Sequence, residues 1–279
     1  MNKKCFCLLS VFAVGMCFGN EALLREGVEK RFCETGGAIV KVRLPARGKY
    51  TLLPIGVGVE YKPSRLAVSE ELDDFYNWIE RLSTARVPFA LYCDGFEDIT
   101  VEQVGIMLDR SQNGNMKELR LLGAGNYLKG IDVDVAFINR IPESVVDFRI
   151  ANNFQIDDAC IIRLSERLPN LEVLYLWNTE KVTDKALRRG IANCRNLQRL
   201  TLSLCRKVSS GGLKYLPKEL DYLEIVGYSL VNHTVEDLAR ALSRIRPTRV
   251  VTSVSKSLKK EDIEKLQNSG ITVEVVAYC

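Results

Sequence analysis

The chain has 279 residues, 47% of them hydrophobic, and its 39 basic and 35 acidic residues leave a formal net charge of +4. Because the charges nearly balance and the basic residues are dispersed along the sequence, we expect neither nucleic acid nor an anionic membrane as the main partner. The length suits one large domain or one repeat array, and the apolar fraction is enough for a sizeable core.

Residues 1–19 have the pattern of a secretory signal peptide. Lys3 and Lys4 form a positive start, and residues 5–19 are a mostly apolar run that is too short to span a membrane comfortably. Cys17 and Gly19 place small residues at the positions that a signal peptidase requires, so we predict cleavage after Gly19. The alternatives are acylation at Cys17, an uncleaved anchor, or a buried helix.

No later stretch approaches the roughly eighteen unbroken apolar residues that indicate a membrane-spanning helix. We therefore expect a secreted or periplasmic protein with no stable membrane insertion after signal cleavage.

Residues 20–85 do not repeat and are predicted to form a small module of a hairpin plus a helix. Residues 38–44 alternate in the manner of a strand, and an apolar run over residues 50–59 follows a turn at residues 45–48. Apolar positions over residues 69–82 recur at helical spacing.

Residues 86–279 contain an internal repeat. The pattern L-x-x-L-x-L, with other large apolar residues allowed, recurs with starts 29, 26, 26 and 23 residues apart, which is the range of leucine-rich repeats. The five matches are Met116-Leu119-Leu121, Val145-Phe148-Ile150, Leu171-Leu174-Leu176, Leu197-Leu200-Leu202 and Leu220-Leu223-Ile225. Weaker copies are predicted around Phe89, Val250 and Ile271.

Each copy predicts a short strand followed by a helix. Thr183 and Asp184 offer N-cap chemistry, Thr100 and Gln103 form a capping box, and Asp157 also precedes a helical pattern. Since one copy cannot bury its apolar face alone, the copies are expected to stack. The predicted fold is therefore an α/β solenoid, a curved parallel sheet with helices on its convex side, covered by residues 20–85 as an N-terminal cap.

Residues 171–205 resemble the cysteine-containing subclass of leucine-rich-repeat proteins, whose unit runs LxxLxLxxCxxITDxxLxxLxxxCxxL. Residues 182–184 match the ITD element, Cys194 stands at the CxxL join, and Cys205 stands after its strand, where the preceding copy has Thr179. The joins at residues 141–145 and 216–220 instead resemble the LPxxL joins of other repeat families, including bacterial effectors. The resemblance implies a leucine-rich-repeat fold and leaves the partner open.

The sequence indicates no enzyme, cofactor or metal site. His233 is the one histidine, so neither a histidine metal pair nor a Ser-His-Asp arrangement can be built, and we expect a loop or helix-cap role for it. Six cysteines follow the signal peptide: Cys33, Cys93, Cys160, Cys194, Cys205 and Cys279. Those in the repeats are expected to pack in the core as small apolar residues, and any disulfide pairing stays open.

The outward positions of the strands are the predicted binding surface, because solenoids commonly bind on the concave sheet face. The candidate residues are Arg120, Arg149, Val173, Tyr175, Trp177, Arg199, Tyr222 and Glu224. Outward positions are also predicted for Asp147, Ala151, Thr201 and Ser203. Tyr and Trp are typical of interface hot spots, whereas the alternative for Trp177 is a seal over the end of the strand.

These features predict an exported leucine-rich-repeat protein, of bacterial effector or envelope type, that binds a protein partner. The alternative is a substrate adaptor of a ubiquitin ligase, because F-box proteins often carry the cysteine-containing repeat. An F-box would require three helices near the N-terminus, where the sequence instead indicates a hairpin and one helix.

Overall fold

The computed structural model divides the chain into two compact units, residues 1–125 and 126–279. The residues that the structure describes are 40–43, 53–55, 58–61, 69–84, 86, 88–92, 100–122, 133–218, 220–225, 240, 242–245, 249–253, 261, 264, 267–268 and 272–276. The predicted signal peptide, His233, Cys33, Cys93 and Cys279 lie outside these ranges, so the predictions about them are not addressed by the structure.

The described residues of the first unit form a mixed sheet and two helices. Its elements are β1 (Val40–Arg43), β2 (Leu53–Ile55), β3 (Gly58–Tyr61), α1 (Ser69–Thr84), β4 (Pro88–Tyr92), α2 (Val101–Arg110) and β5 (Asn115–Leu122). The strand order is β5-β4-β1-β3-β2. Strands β3, β1, β4 and β5 are parallel neighbours, which confirms the weak repeat copy predicted around Phe89.

The predicted hairpin across residues 45–48 is wrong. Strand β1 pairs in parallel with β3, Val40 opposite Val59, and the antiparallel pair is β2 with β3. The second apolar run therefore holds two strands rather than one. Because only Gly56 and Val57 separate these strands, they pair with each other as antiparallel neighbours, and β3 then runs in the same direction as β1.

Both predicted helices of this unit are confirmed. Helix α1 buries Tyr76, Ile79 and Leu82 on one face. Helix α2 begins at the predicted capping box, in which the hydroxyl of Thr100 accepts from the backbone N–H of Gln103 at 3.2 Å and the Gln103 side chain accepts from the backbone N–H of Thr100 at 2.9 Å. Two of the otherwise unpaired groups at a helix start are thereby satisfied.

The second unit has the predicted leucine-rich-repeat architecture, in which parallel strands alternate with helices in an open sheet. Its described elements are α3 (Val135–Arg140), β6 (Asp147–Ala151), α4 (Asp158–Arg167), β7 (Val173–Trp177), α5 (Asp184–Arg189), a 3-10 turn (Ile191–Asn193), β8 (Arg199–Ser203), α6 (Ser210–Leu213), β9 (Tyr222–Ile225), β10 (Arg249–Ser253) and β11 (Thr272–Val276). The strand order is β11-β10-β9-β8-β7-β6, and the copies predicted around Val250 and Ile271 are β10 and the start of β11.

The repeated leucines form the core of this unit. Leu174 lies opposite Phe148 on one side and Leu200 on the other, and all three are at most 1% exposed. Each buried side chain of this size contributes roughly 1.5–3 kcal/mol of transfer free energy. Four helix starts are capped by side chains at equivalent positions of the repeats, namely Asp134, Asp157, Thr183 and Ser209.

The turn after each central strand is also repeated. Asn152, Asn178 and Leu204 have positive φ angles of 54°, 53° and 56°, a conformation that asparagine tolerates better than leucine. The backbone N–H of Asn178 donates to the carbonyl of Ser203 at 2.8 Å, so the turn extends the hydrogen bonding between neighbouring strands.

Candidate functional site

The outward positions of β6 to β9 form one surface, called here the outward face. In strand register its residues fall into three rows: Asp147, Val173, Arg199 and Tyr222; Arg149, Tyr175, Thr201 and Glu224; Ala151, Trp177 and Ser203. These positions alternate with the buried leucines, and on β7 and β9 they are the partly exposed ones. Seven of the eight predicted binding residues lie on this face. Arg120 lies in the first unit, where it forms an ion pair with Glu118 on the same strand at 3.1 Å.

Two polar clusters of the outward face are neutralised internally. The guanidinium group of Arg149 donates to both carboxylate oxygens of Asp147, at 2.8 and 2.6 Å. The carboxylate of Glu224 accepts from the hydroxyl groups of Tyr222 at 2.9 Å and Thr201 at 3.3 Å. Because bidentate and charge-assisted hydrogen bonds hold both partners in place, Arg149 is a poor source of free positive charge for a partner.

The centre of the outward face is a half-buried apolar strip on β7. Val173, Tyr175 and Trp177 lie along this strand and are each partly exposed. Beside Val173, in register, is Arg199, which is exposed and whose guanidinium group forms no ion pair or hydrogen bond with any residue that the structure describes. The strip thus offers aromatic and aliphatic area with one uncommitted cation at its edge.

Four predicted outward residues have the right parity but are buried. Asp147, Ala151, Thr201 and Ser203 are 7%, 1%, 6% and 2% exposed, so the expectation that they offer contact surface is wrong. The register gives a reason for two of them, because Trp177 stands between Ala151 and Ser203. Side chains this short beside an indole lie below its level and lose their contact with solvent.

The indole nitrogen of Trp177 is buried and has no hydrogen-bond partner among the described residues. A buried N–H without an acceptor is costly, whereas a freely rotating indole on an open surface would turn this group toward water. The side chain is therefore held down over its small neighbours. Trp177 therefore combines the two roles predicted for it. Its ring is exposed enough to contact a partner, and it also covers the end of the strand.

The repeat cysteines occupy buried positions. Burial raises the pKa of the Cys194 thiol to about 12. Burial also raises the pKa of Cys160 and Cys205 to about 11, although hydrogen bonds from Thr179 lower the value for Cys205 in part. All three are free thiols in the described part of the chain, as the predicted packing role of Cys194 and Cys205 requires.

Cys205 stands at a polar position of the repeat. Its sulfur lies 3.2 Å from the hydroxyl oxygen of Thr179, which occupies the equivalent position one repeat earlier, and Asn153 occupies that position two repeats earlier. The side-chain oxygen of Asn153 accepts from the backbone N–H groups of Gln155 and Ile156, at 3.1 and 2.9 Å. These positions satisfy the backbone where the strand passes into the loop, which is a structural role.

Comparison with solved structures returns the C-terminal domain of tropomodulin from Caenorhabditis elegans. The similarity has 12% sequence identity and a TM-score of 0.28, and it covers 72% of this chain and 91% of that chain. At this TM-score the likeness carries no argument, so the fold assignment depends on the strand register and burial. No family model matches the chain, and no curated protein does. Separately, the helices in the described ranges are all too short or too polar to cross a membrane.

Proposed function

We propose that this chain is an exported repeat protein that binds a protein partner through the outward face of its second unit. The observation that supports the proposal is the strip of Val173, Tyr175 and Trp177, which is partly exposed at the centre of a sheet face whose other charged groups are largely paired. Repeat sheets present rigid, extended surfaces of this kind to their partners.

The chemistry of the strip suits an apolar anchor with an acidic or carbonyl group beside it. Tyr and Trp bury large areas at low entropic cost, and they are enriched among residues that dominate binding energy. Arg199, next to Val173, would meet a negative or carbonyl oxygen of the partner, while the paired Arg149 and Glu224 form a polar surround that needs no new partner.

Site-specific photo-crosslinking tests this surface. A photoreactive amino acid replaces Tyr175 in one variant and Ala159, an exposed residue of helix α4, in a control variant. The proposal expects a discrete crosslinked protein from position 175 that is absent from position 159, identified by mass spectrometry. Identical products from both positions, or none from position 175, would contradict it.

Export is part of the proposal and depends on the sequence of residues 1–19. If the signal is cleaved, N-terminal sequencing of the mature protein should begin at Asn20, and a chain that retains Met1 in the soluble fraction would exclude cleavage. An acylated Cys17 would instead shift the N-terminus to that residue and add the mass of lipid.

Binding rather than catalysis is the proposed activity. The three described cysteines are buried, protonated thiols, and none has the exposed, electropositive surroundings that activate a nucleophile. The ubiquitin-ligase adaptor has no specific observation in its favour, since the described residues before position 85 form three strands and one helix.

A further inference from the structure

The near balance of charge over the whole chain conceals a sharp separation within the second unit. Residues 133–180 carry 4 basic and 8 acidic residues, whereas residues 181–218 carry 10 basic residues and one acid, Asp184. The ten basic residues, called here the basic surface, are Lys181, Lys185, Arg188, Arg189, Arg195, Arg199, Arg206, Lys207, Lys214 and Lys218. All ten are exposed.

The two stretches also differ in how their charges are compensated. In residues 133–180, Arg149, Arg163 and Arg167 each form an ion pair with a nearby carboxylate at 2.6–2.9 Å. On the basic surface, the closest ion pair among described residues is that of Arg206 with Glu180, and its 3.9 Å separation is long. The lone acid is already occupied, because the Asp184 carboxylate accepts the backbone N–H and hydroxyl of Ser209.

The basic residues are aligned from one repeat to the next. Equivalent positions of neighbouring repeats hold Lys181 and Lys207, then Arg188 and Lys214, then Arg195 and Lys218. Like charges at neighbouring positions repel each other and destabilise the fold slightly. The register sets Lys181 opposite Asp157 and Lys207 opposite Thr183, so the first pair is partly compensated. The remaining excess of exposed positive charge favours a ligand that carries the opposite charge.

The three pairs also indicate the form of that ligand. Lys181 and Lys207 precede helices α5 and α6, Arg188 and Lys214 lie in or just after these helices, and the third pair lies in the connections to β8 and β9. The three pairs thus come from three successive parts of each repeat: the turn after the strand, the helix and the connection to the next strand. An extended, flexible chain can follow all three.

We propose that the basic surface binds an acidic, extended polypeptide segment of the protein partner. The identification of the ligand as a polypeptide relies on the proposed function, and two features of the molecule support it. Arg199 belongs both to this surface and to the edge of the apolar strip on the outward face. Tyr215 is 36% exposed and its ring lies 5.0 Å from the Lys214 ammonium group, so an apolar side chain could pack between the charges.

Fluorescence anisotropy with labelled poly-L-glutamate tests the proposal on the full chain. We expect binding at low ionic strength that weakens as salt is added, because exposed charges are screened over a Debye length of about 10 Å at 0.1 M salt. The double variant Arg188→Glu/Lys214→Glu should weaken binding by roughly tenfold or more. The matched variant Arg86→Glu/Arg244→Glu makes the same change in net charge at exposed positions elsewhere and should change affinity by less than about twofold.

Several results would overturn the assignment. These are no binding of poly-L-glutamate at low salt, equal losses in both double variants when their circular dichroism melts match wild type, or binding only to heparin or to phosphatidylglycerol vesicles. The Trp177→Ala variant should keep its affinity for poly-L-glutamate, because the indole lies outside the basic surface. If the outward face proves not to be a docking site, the binding of poly-L-glutamate is therefore unaffected. The two proposals can be refuted independently of each other.

Discussion

The carboxylate of Asp158 accepts two hydrogen bonds from Thr183, the residue that caps the next helix of the array. The backbone N–H of Thr183 donates to one oxygen and its hydroxyl donates to the other, both at 2.8 Å. One repeat later, Asp184 accepts the same two bonds from Ser209, at 2.6 and 2.5 Å. Since Thr183 and Ser209 also cap their own helices, each one fixes a helix start and ties it to the preceding repeat.

Removing one of these carboxylates should destabilise the second unit. Asp184→Ala leaves the backbone N–H and hydroxyl of Ser209 without their acceptor in a partly buried site, which we expect to cost about 1–3 kcal/mol of unfolding free energy. Ser210 stands at the equivalent position one repeat later and has no such bond among the described residues, so Ser210→Ala should change stability by less than about 0.5 kcal/mol. Urea denaturation of both variants measures the difference, and equal effects would show that the carboxylate contributes nothing specific.

Gly212 should be required for the same carboxylate to fit. A Cβ atom built on this residue would overlap the Asp184 carboxylate, whereas one on Gly211 would lie 3.1 Å from the Ser209 hydroxyl and 3.7 Å from the Asp184 carboxylate, without overlap. We expect Gly212→Ala to destabilise the chain by about 1–3 kcal/mol and Gly211→Ala to be nearly neutral. In an Asp184→Ala background the cost of Gly212→Ala should fall, and a cost that is unchanged in this double-mutant cycle would rule out the overlap as its cause.

The repeated strands could be predicted because their signal is local. The leucines at positions 174, 176, 200 and 202 lie on the same side of their strands and are buried. A shift of one residue would expose them, so their burial allows one register for the sheet. The pairing of β1 with β3 was not predictable in this way, because it joins strands that are not consecutive and their sequences do not encode which neighbour they take. The cysteine-containing subclass stays a prediction.

The binding surface was only partly predictable for a different reason. The alternation along each strand shows that Ala151 and Ser203 are on the outward side. Their exposure, however, depends on the size of Trp177 on the strand between them, and the sequence of one strand contains no information about that neighbour. The bond from Asp158 to Thr183 likewise spans 25 residues. The excess of basic residues over positions 181–218 is present in the sequence, but the net charge of the whole chain does not reveal it because acidic residues elsewhere compensate it.

The buried thiols should resist modification in the native protein. Thiolates are the reactive form, and burial raises the pKa of Cys194 to about 12 and of Cys160 and Cys205 to about 11. Alkylation with iodoacetamide, followed by peptide mapping, should label these three cysteines only after denaturation. Labelling of any of them at the native rate of an exposed thiol would contradict their burial.

The raised pKa of the buried thiols also predicts that the protein loses stability at high pH. In the unfolded chain a thiol loses its proton near the ordinary pKa of 9.0, while the folded chain keeps the proton on Cys194 up to about 12. The unfolded state therefore binds fewer protons in this window, and stability falls as pH rises, by at most about 1.4 kcal/mol per pH unit for each thiol. Cys194→Ala should show a shallower fall above pH 9.0 than wild type, and parallel curves would exclude the linkage.

The two roles of Trp177, covering its neighbours and contacting a partner, can be separated by two substitutions. Trp177→Phe keeps an aromatic ring over Ala151 and Ser203 and removes an N–H that has no partner among the described residues, so its unfolding free energy should stay within about 1 kcal/mol of wild type. Trp177→Ala uncovers both neighbours and should weaken binding to the protein captured from position 175 by roughly 2 kcal/mol or more.

Phe154, a 46% exposed aromatic residue outside the strands, supplies the matched control, and Phe154→Ala should alter neither the unfolding free energy nor the affinity. Isothermal titration together with urea denaturation separates the two roles on the same proteins. If Trp177→Ala lowers stability but the remaining folded protein binds as tightly as wild type, the indole only covers its neighbours and the outward face loses its proposed centre.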